Sequence, residues 1–295
     1  TLIGTLPATN VGVFALGDNS TAPGVWIMNH LSVGFVIGSN IPTTREVFKV
    51  VLSEDEENVN ILNKVTALGW AGINPLRVYV TIINNATISS IVATTSFDPT
   101  IQVPAFDTGS NFPVGSGVSL HITPGASIRG AGGDAGHGGT WTATPPDDQA
   151  EAGELGGDAI HSRGHAFMLK NEGVIAGGGG GGGGGGFDFG VSNGGGGGGG
   201  AGVTGGDRGG PTDTTGLDGS RNAAGGGGSP TGGLAGAGGT GGIAGIAGSP
   251  GIAGNPGQAS TPGAGGGPGR ALKYQVAFPF FAQEVGVFFG PVVAE

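Results

Sequence analysis

The apolar positions of the first 123 residues come in short runs, each bounded by turn-forming residues. Up to residue 60 they fall at 11–16, 25–28, 31–37 and 47–52, with Gly, Asn, Ser and Pro between them, and the region ends in the acidic stretch SEDEENVN. Runs this short and this rich in β-branched residues predict strands rather than helices. From 59 to 122 the pattern sharpens: LRVYVTII alternates, ATISSIVATTSF follows, and IQVPAF and VSLHI are further short strands. Residues 1–123 read as all-β.

Beyond Pro124 the alternation gives way to glycine. Eleven of the 71 glycines precede Pro124; ten are consecutive at 177–186 and seven more at 194–200, with FDFGVSN between the two runs. Gly-rich chain is by default a flexible spacer, because glycine loses more conformational entropy on folding than any other residue. Register argues otherwise. From Gly233 to Gly269 glycine occupies every third position, and only Ser260 breaks the frame. A spacer has no reason to keep a register. Period three belongs to left-handed, polyproline-II-like helices with three residues per turn and a rise of ~3.1 Å.

Collagen shares that period, but proline fills few of the intervening positions, the tract is short, and collagen does not require ten consecutive glycines. Extended three-fold helices carry no internal hydrogen bonds, so their N–H and C=O groups must pair with neighbouring helices. A helix surrounded on all sides has no room for a Cβ and must be pure glycine. A peripheral helix needs glycine only on its inward edge. This assigns 177–186 and 194–200 to central helices and 233–269 to peripheral ones, the ten-residue run spanning roughly 31 Å.

A second repeat surrounds the glycine tracts. GDAIHSRGHAFMLKNEGVIAG (157–177) resembles GRALKYQVAFPFFAQEVGVFFG (269–290) with one residue inserted, and TPGASIRG (123–130) is a weaker echo. These read as recurrent strands flanking the bundle. The expected fold is therefore an all-β N-terminal part followed by a polyglycine-II/polyproline-II-like helix bundle with flanking β-strands and essentially no α-helix. The expected divisions are 1–57 for attachment, 58–123 for a β-rich domain, 124–270 for the bundle and 271–295 for a closing β segment.

Composition narrows the chemistry. There is no cysteine, hence no disulfide framework and no thiolate metal site. The net charge is −10, and the 11 Lys and Arg residues form no basic cluster, which argues against nucleic acid as a partner. The first residues have neither a basic n-region nor a long apolar h-region, so no signal peptide is expected. Residues 222–269 carry no charge, but they are mostly Gly, Ala, Ser, Pro and Thr and do not make a membrane helix.

Catalytic and metal motifs are weak. The run SEDEEN (53–58) lacks EF-hand spacing and reads as a solvated turn. His161 and His165, if on one strand, share a face but sit roughly 13 Å apart, and His137 lies in a glycine tract. The GAGGDAG stretch (130–136) echoes a dinucleotide loop without its following helix and reads as the first glycine helix. Asp147 and Asp148 are proline-flanked loop charges rather than a glycosidase pair. No catalytic residue, metal or cofactor is assigned.

Glycine helices present no side chains, so recognition falls to the loops that interrupt them, at 140–155, 187–193 and 207–221. Trp141, Phe187 and Phe189 are the anchors available for binding, with Asp188, Asp207, Arg208, Thr214 and Arg221 beside them. The competing reading is that these aromatics cover the bundle ends as small satellite cores.

The segments VSLHITPGASIRGAGG, GGDAIHSRGHAFMLKNEGVIAGGGGGGGGGG and GRALKYQVAF…VGVFFGPVV, with VNILNKVTALGWAGINPLRVYVTI before them, together resemble the glycine-rich receptor-binding tips of tailed-phage tail fibres. These include the polyglycine-II adhesins that cap the long tail fibres of some T-even-like phages. The resemblance covers about 58–295. It implies a non-enzymatic virion protein whose loops between glycine helices contact a receptor on the host surface. Residues 1–57 match no attachment domain; contact with other tail or fibre proteins is expected there, and a homo-oligomer is open. The acidic chain is a poor match for anionic lipopolysaccharide phosphates, which favours a protein loop or a neutral glycan as receptor. The alternative is a purely structural component of the baseplate, fibre or capsid decoration.

Overall fold

The computed structural model describes residues 46–91, 103–140, 149–188, 192–203, 205–206, 208–209, 215–232, 234–254, 261–284 and 286–294. The strand runs expected at 11–16, 25–28 and 31–37 lie outside the described residues. The remaining strands form a stack of five coils, each turning through three short strands. The first coil is β1 (Glu46–Leu52), β2 (Glu56–Glu57) and β3 (Val59–Asn60). The second is β4 (Leu76–Ile82), β5 (Thr87–Ser89) and β6 (Phe106–Asp107), and the third β7 (Gly117–Ile122), β8 (Ser127–Arg129) and β9 (Ile160–Ser162). The fourth is β10 (Ala166–Asn171), β11 (Val174–Ala176) and β12 (Leu272–Tyr274), and the fifth β13 (Phe280–Glu284), β14 (Val287–Phe289) and β15 (Val292–Ala294).

Each coil gives one strand to each of three parallel five-stranded sheets, ordered β1-β4-β7-β10-β13, β2-β5-β8-β11-β14 and β3-β6-β9-β12-β15. The architecture is a three-sided β-solenoid. Its core is a set of side-chain columns: Ile88, Ile128, Ile175 and Phe288 stack in register on the second sheet, and Val59, Phe106, Ile160 and Leu272 on the third. The repeat in the sequence is this stacking. Phe167 pairs with Phe280, Val174 with Val287 and Leu272 with Ile160, so the two matched segments are successive coils laid on each other. The weaker echo is the coil beneath them, Ser127 pairing with Val174. The first coil runs straight through the 57/58 junction.

One α-helix is present among the described residues, α1 (Ile61–Ala67), where the sequence pattern suggested only strands. The side chain of Asn60 caps it by accepting from the Asn63 N–H at 3.0 Å, and Ile61 and Val65, one turn apart, are its buried face. The Asn cap and the i, i+4 apolar pair were the available signal, in a stretch too short for periodicity to stand out.

The corner between the second and third strands of each coil positions everything else. In the first coil it is the single residue Asn58, and in the fifth it is Gly290 and Pro291. In the second coil it widens to 90–105, in the third to 130–159 and in the fourth to 177–271. The glycine-rich region is built from the two widest of these corners, 130–159 and 177–271.

Within it, the N–H groups of 177–186 rotate among three neighbours. Gly179, Gly182 and Gly185 donate to the carbonyls of Ala201, Gly198 and Gly195; Gly178, Gly181 and Gly184 donate to Gly157, Glu154 and Glu151; Gly180, Gly183 and Gly186 donate to Ile246, Ser249 and Ile252. The carbonyls of the same run accept from three further segments: from Gly133, Gly136 and Gly139, from Gly242, Gly239 and Gly236, and from Gly269, Gly266 and Gly263. Six chain segments surround this run, and every residue of it is buried. The second run is surrounded likewise by 133–139, 177–186, 206–209, 217–220, 225–228 and 236–242.

A Cβ at Gly178, Gly181 or Gly184 would collide with the backbone of Ala131, Asp134 or His137, which is why the run tolerates no side chain. In the surrounding segments Gly236, Gly239, Gly242, Gly251, Gly254, Gly263, Gly266 and Gly269 are buried and Gly245 and Gly248 half-buried, while Thr240, Ile243, Ile252 and Ala264 face outward.

Candidate functional site

The two central runs fix the polarity of the bundle. Residue 177 follows β11 at the solenoid, 186 lies at the far end, and 194–200 returns towards the solenoid. Chain turns therefore fall at two opposite ends. At the far end the chain reverses between 140 and 149, between 187 and 193, between 228 and 236, and between 254 and 263. Turns at 201–205, 220–224 and 243–247 lie against the solenoid.

The 187–193 turn is closed by Asp188 and Ser192, which exchange backbone hydrogen bonds of 2.9 and 3.3 Å. Phe187 is 1% exposed and Asp188 is buried. Neither side chain is on the surface of the chain. Asn193 joins this turn to the next: its N–H donates to the Thr231 hydroxyl at 2.9 Å, and the Thr231 N–H donates to the Asn193 carbonyl at 3.3 Å. Ser229, Thr231 and Leu234 are exposed beside it, Leu234 at 57%. The sequence analysis did not single out this second turn, although Ser229, Pro230 and Thr231 interrupt the glycines there.

The 207–221 stretch is not one loop. Gly206 and Gly209 donate to Gly200 and Gly197, and Gly216 and Gly219 donate to Gly209 and Gly206, so its two arms are extended segments of the bundle. The three-residue spacing of those glycines was the signal for this. Arg208 is exposed on one arm; its N–H donates to Asp218 Oδ1 at 3.0 Å, and its guanidinium lies 3.9 Å from the same oxygen. Both side chains are more than half exposed, so the pair adds little stability.

Arg221 sits at the opposite end from Phe187, in a turn where the Ser220 N–H donates to the Ala223 carbonyl at 2.8 Å and the Ser220 carbonyl accepts from Gly202. Burial, and then the charge of Arg221, hold the Arg129 guanidinium pKa below its usual value. Arg221 and the far-end residues cannot form one site. Trp141, Phe189, Asp207 and Thr214 lie outside the described residues.

The histidines also differ from expectation. β9 ends at Ser162 and β10 begins at Ala166, with a turn at Gly164 (φ +63°) between them, so His161 and His165 do not share a strand. His165 is 3% exposed and packs edge-on against Phe112, their centroids 5.0 Å apart. Burial pushes its pKa down to about 4, Arg77 adding to the effect and the Arg163 backbone opposing it, so the ring is neutral at pH 7. It is a core residue. Among the described residues no three His, Asp or Glu side chains converge as metal ligands.

A family model described as phage tail fibre adhesin Gp38 matches residues 47–293. A solved structure, the gp37–gp38 adhesin tip complex of the bacteriophage S16 long tail fibre, is similar at 24% identity over 84% of this chain and 82% of that chain, with a TM-score of 0.49. No curated protein matches. The family match runs from the first strand of the solenoid to the last and takes in the whole glycine-rich excursion between them: the chain belongs to the phage tail fibre adhesin Gp38 family, receptor-binding adhesins of the bacteriophage tail.

Proposed function

We propose that the glycine-rich excursion is a polyglycine-II bundle and that its far-end turns carry the receptor-binding surface. The observation behind this reading is the strict rotation of the hydrogen bonds of 177–186 among six neighbours, a three-fold pattern that a β-strand or α-helix cannot make. The central runs of such a scaffold have no side chains to offer, and the scaffold holds four turns together at the end remote from the solenoid. By sequence position Trp141 and Phe189 fall within the spans of those turns, and Thr231 and Leu234 are exposed groups of a described one. Phe187 and Asp188 hold the turn from beneath. Arg208, on the arm of the shorter hairpin, is a further candidate, and Arg221 falls outside the surface.

The chain's charge of −10 favours a protein loop or a neutral glycan as receptor. The function is recognition without catalysis. Residues 1–57 join the adhesin to other tail-fibre proteins.

The test is adsorption. Changing Trp141, Phe189 and Leu234 together to Ser should abolish attachment to host cells while the protein is still incorporated into particles at normal amounts; loss of an aromatic anchor typically costs about 2 kcal/mol or more. Normal adsorption with normal incorporation would leave a purely structural role for this end of the molecule. The same change at Phe187 should reduce incorporation instead, because its side chain is enclosed.

A further inference from the structure

The outer face of the first sheet carries a depression of about 300 Å³ that the far-end reading does not use. Strand register makes its plan explicit. One row across β1, β4, β7 and β10 is Lys49, Tyr79, Ser119 and Met168; the next is Val51, Thr81, His121 and Lys170. The hollow exists because the small side chains of Ser119 and Thr81 lie between larger ones on either side. Val51 and Met168 supply apolar walls, Tyr79 a half-buried ring, and Thr81, Ser119 and His121 polar groups.

The charges are also placed. Lys49 and Lys170 stand at opposite corners, three strand spacings across and two residues along, or roughly 16 Å apart. Lys49 is exposed and forms no ion pair among the described residues. Glu172, just beyond the rim, accepts from Lys170 Nζ at 2.9 Å and lies 2.7 Å from His121 Nε2, so both side chains are held in position. In a chain with a net charge of −10 and only 11 Lys and Arg residues, Lys49 is a cation at the rim that no carboxylate among the described residues offsets, whereas Glu172 offsets Lys170.

We propose that this face is a second binding site, for an acidic oligosaccharide. Sugar rings match its combination of an aromatic ring, apolar walls and convergent hydroxyl-bonding groups, and a carboxylate of the saccharide matches the exposed Lys49 at its corner. The site lies on the solenoid flank and does not depend on the far-end turns.

The experiment is calorimetric titration of the full chain with a tetrasaccharide of galacturonic acid and with its neutral galactose counterpart. At low salt the acidic sugar should bind saturably and the neutral one at least about tenfold more weakly, with the difference shrinking at 0.5 M salt, roughly where screening becomes strong at these separations. Lys49→Gln, on an exposed side chain without an ion-pair partner among the described residues, should weaken acidic-sugar binding about tenfold with an unchanged melting temperature, and Tyr79→Leu should weaken both sugars. Leu234→Ser, at the far end, should bind as the parent does. Equal affinity for the two sugars, absence of binding, or full affinity in Lys49→Gln would each overturn the proposal.

Discussion

The solenoid and the glycine bundle solve the same problem with opposite materials. In the solenoid, backbone groups pair within flat sheets, and the space between the sheets is filled by columns of Ile, Val, Leu and Phe. In the bundle, the central backbone pairs in three directions at once, and no space is left for side chains at all. The first core is held by apolar burial, at about 25 cal/mol per Å². The second is held by lateral hydrogen bonds of ~0.5–1.5 kcal/mol each, set against the large entropy of ordering glycine. The difference teaches what each core can tolerate. A hydrophobic column loses energy in proportion to the volume removed, whereas a glycine core fails on addition of a single carbon.

The widest gap between the two regions should appear at Gly181. Its Cβ would run into the Asp134 carbonyl, and its N–H is committed to Glu154, so Gly181→Val should cost more than about 5 kcal/mol and expose the bundle to protease while the solenoid stays folded. If Gly181→Val melts like the parent, the two cores do not differ in kind. Ile128→Ala, the matching lesion in the solenoid, should cost ~2–5 kcal/mol by the cavity it leaves between Ile88 and Ile175, read from denaturant unfolding.

A smaller effect separates the regions by pH. His165 is neutral in the solenoid core with a pKa of about 4, below its unfolded value near 6.5, so the unfolded chain binds the proton more readily. Its contribution is complete above pH 6.5 and is lost as the pH falls towards 4, up to ~3 kcal/mol. His165→Phe should flatten this part of the stability profile, and a profile that keeps its slope would place the titration elsewhere. At the bottom of the scale, Ile246→Val on the outer face of the bundle should change stability by less than ~0.5 kcal/mol. Hydrogen exchange sharpens the contrast: the amides of 177–186 should be protected as strongly as those of β7 and β10, against the fast exchange of a glycine spacer.

Much of this was legible in the chain. The alternation in LRVYVTII and VSLHI marked β4 and β7, the unbroken glycine at 177–186 marked a fully enclosed segment, and the frame from Gly233 to Gly269 marked segments enclosed on one side only. The matched segments at 157–177 and 269–290 marked a stacked structure. What could not be read was where the chain turns inside an unbroken frame. The turn at 243–247 keeps the three-residue period through Gly242, Gly245 and Gly248, because a turn between these segments can use the same residues as the segments themselves.

The candidate site divided along the same line. Residue types drew attention to Phe187 and Arg221 alike, but type says nothing about which end of a bundle a turn occupies. The excursion leaves the solenoid after β11 and returns before β12, and every reversal alternates ends from there, so Phe187 falls at the far end and Arg221 against the solenoid. Burial then separated Phe187 from the exposed Leu234. The sequence by itself determined which segments have room for a side chain, because a missing Cβ is written directly in the residue type. Only the tertiary structure decided which turns meet, because that depends on how many times the chain reverses and on the lateral pairing of groups far apart in sequence.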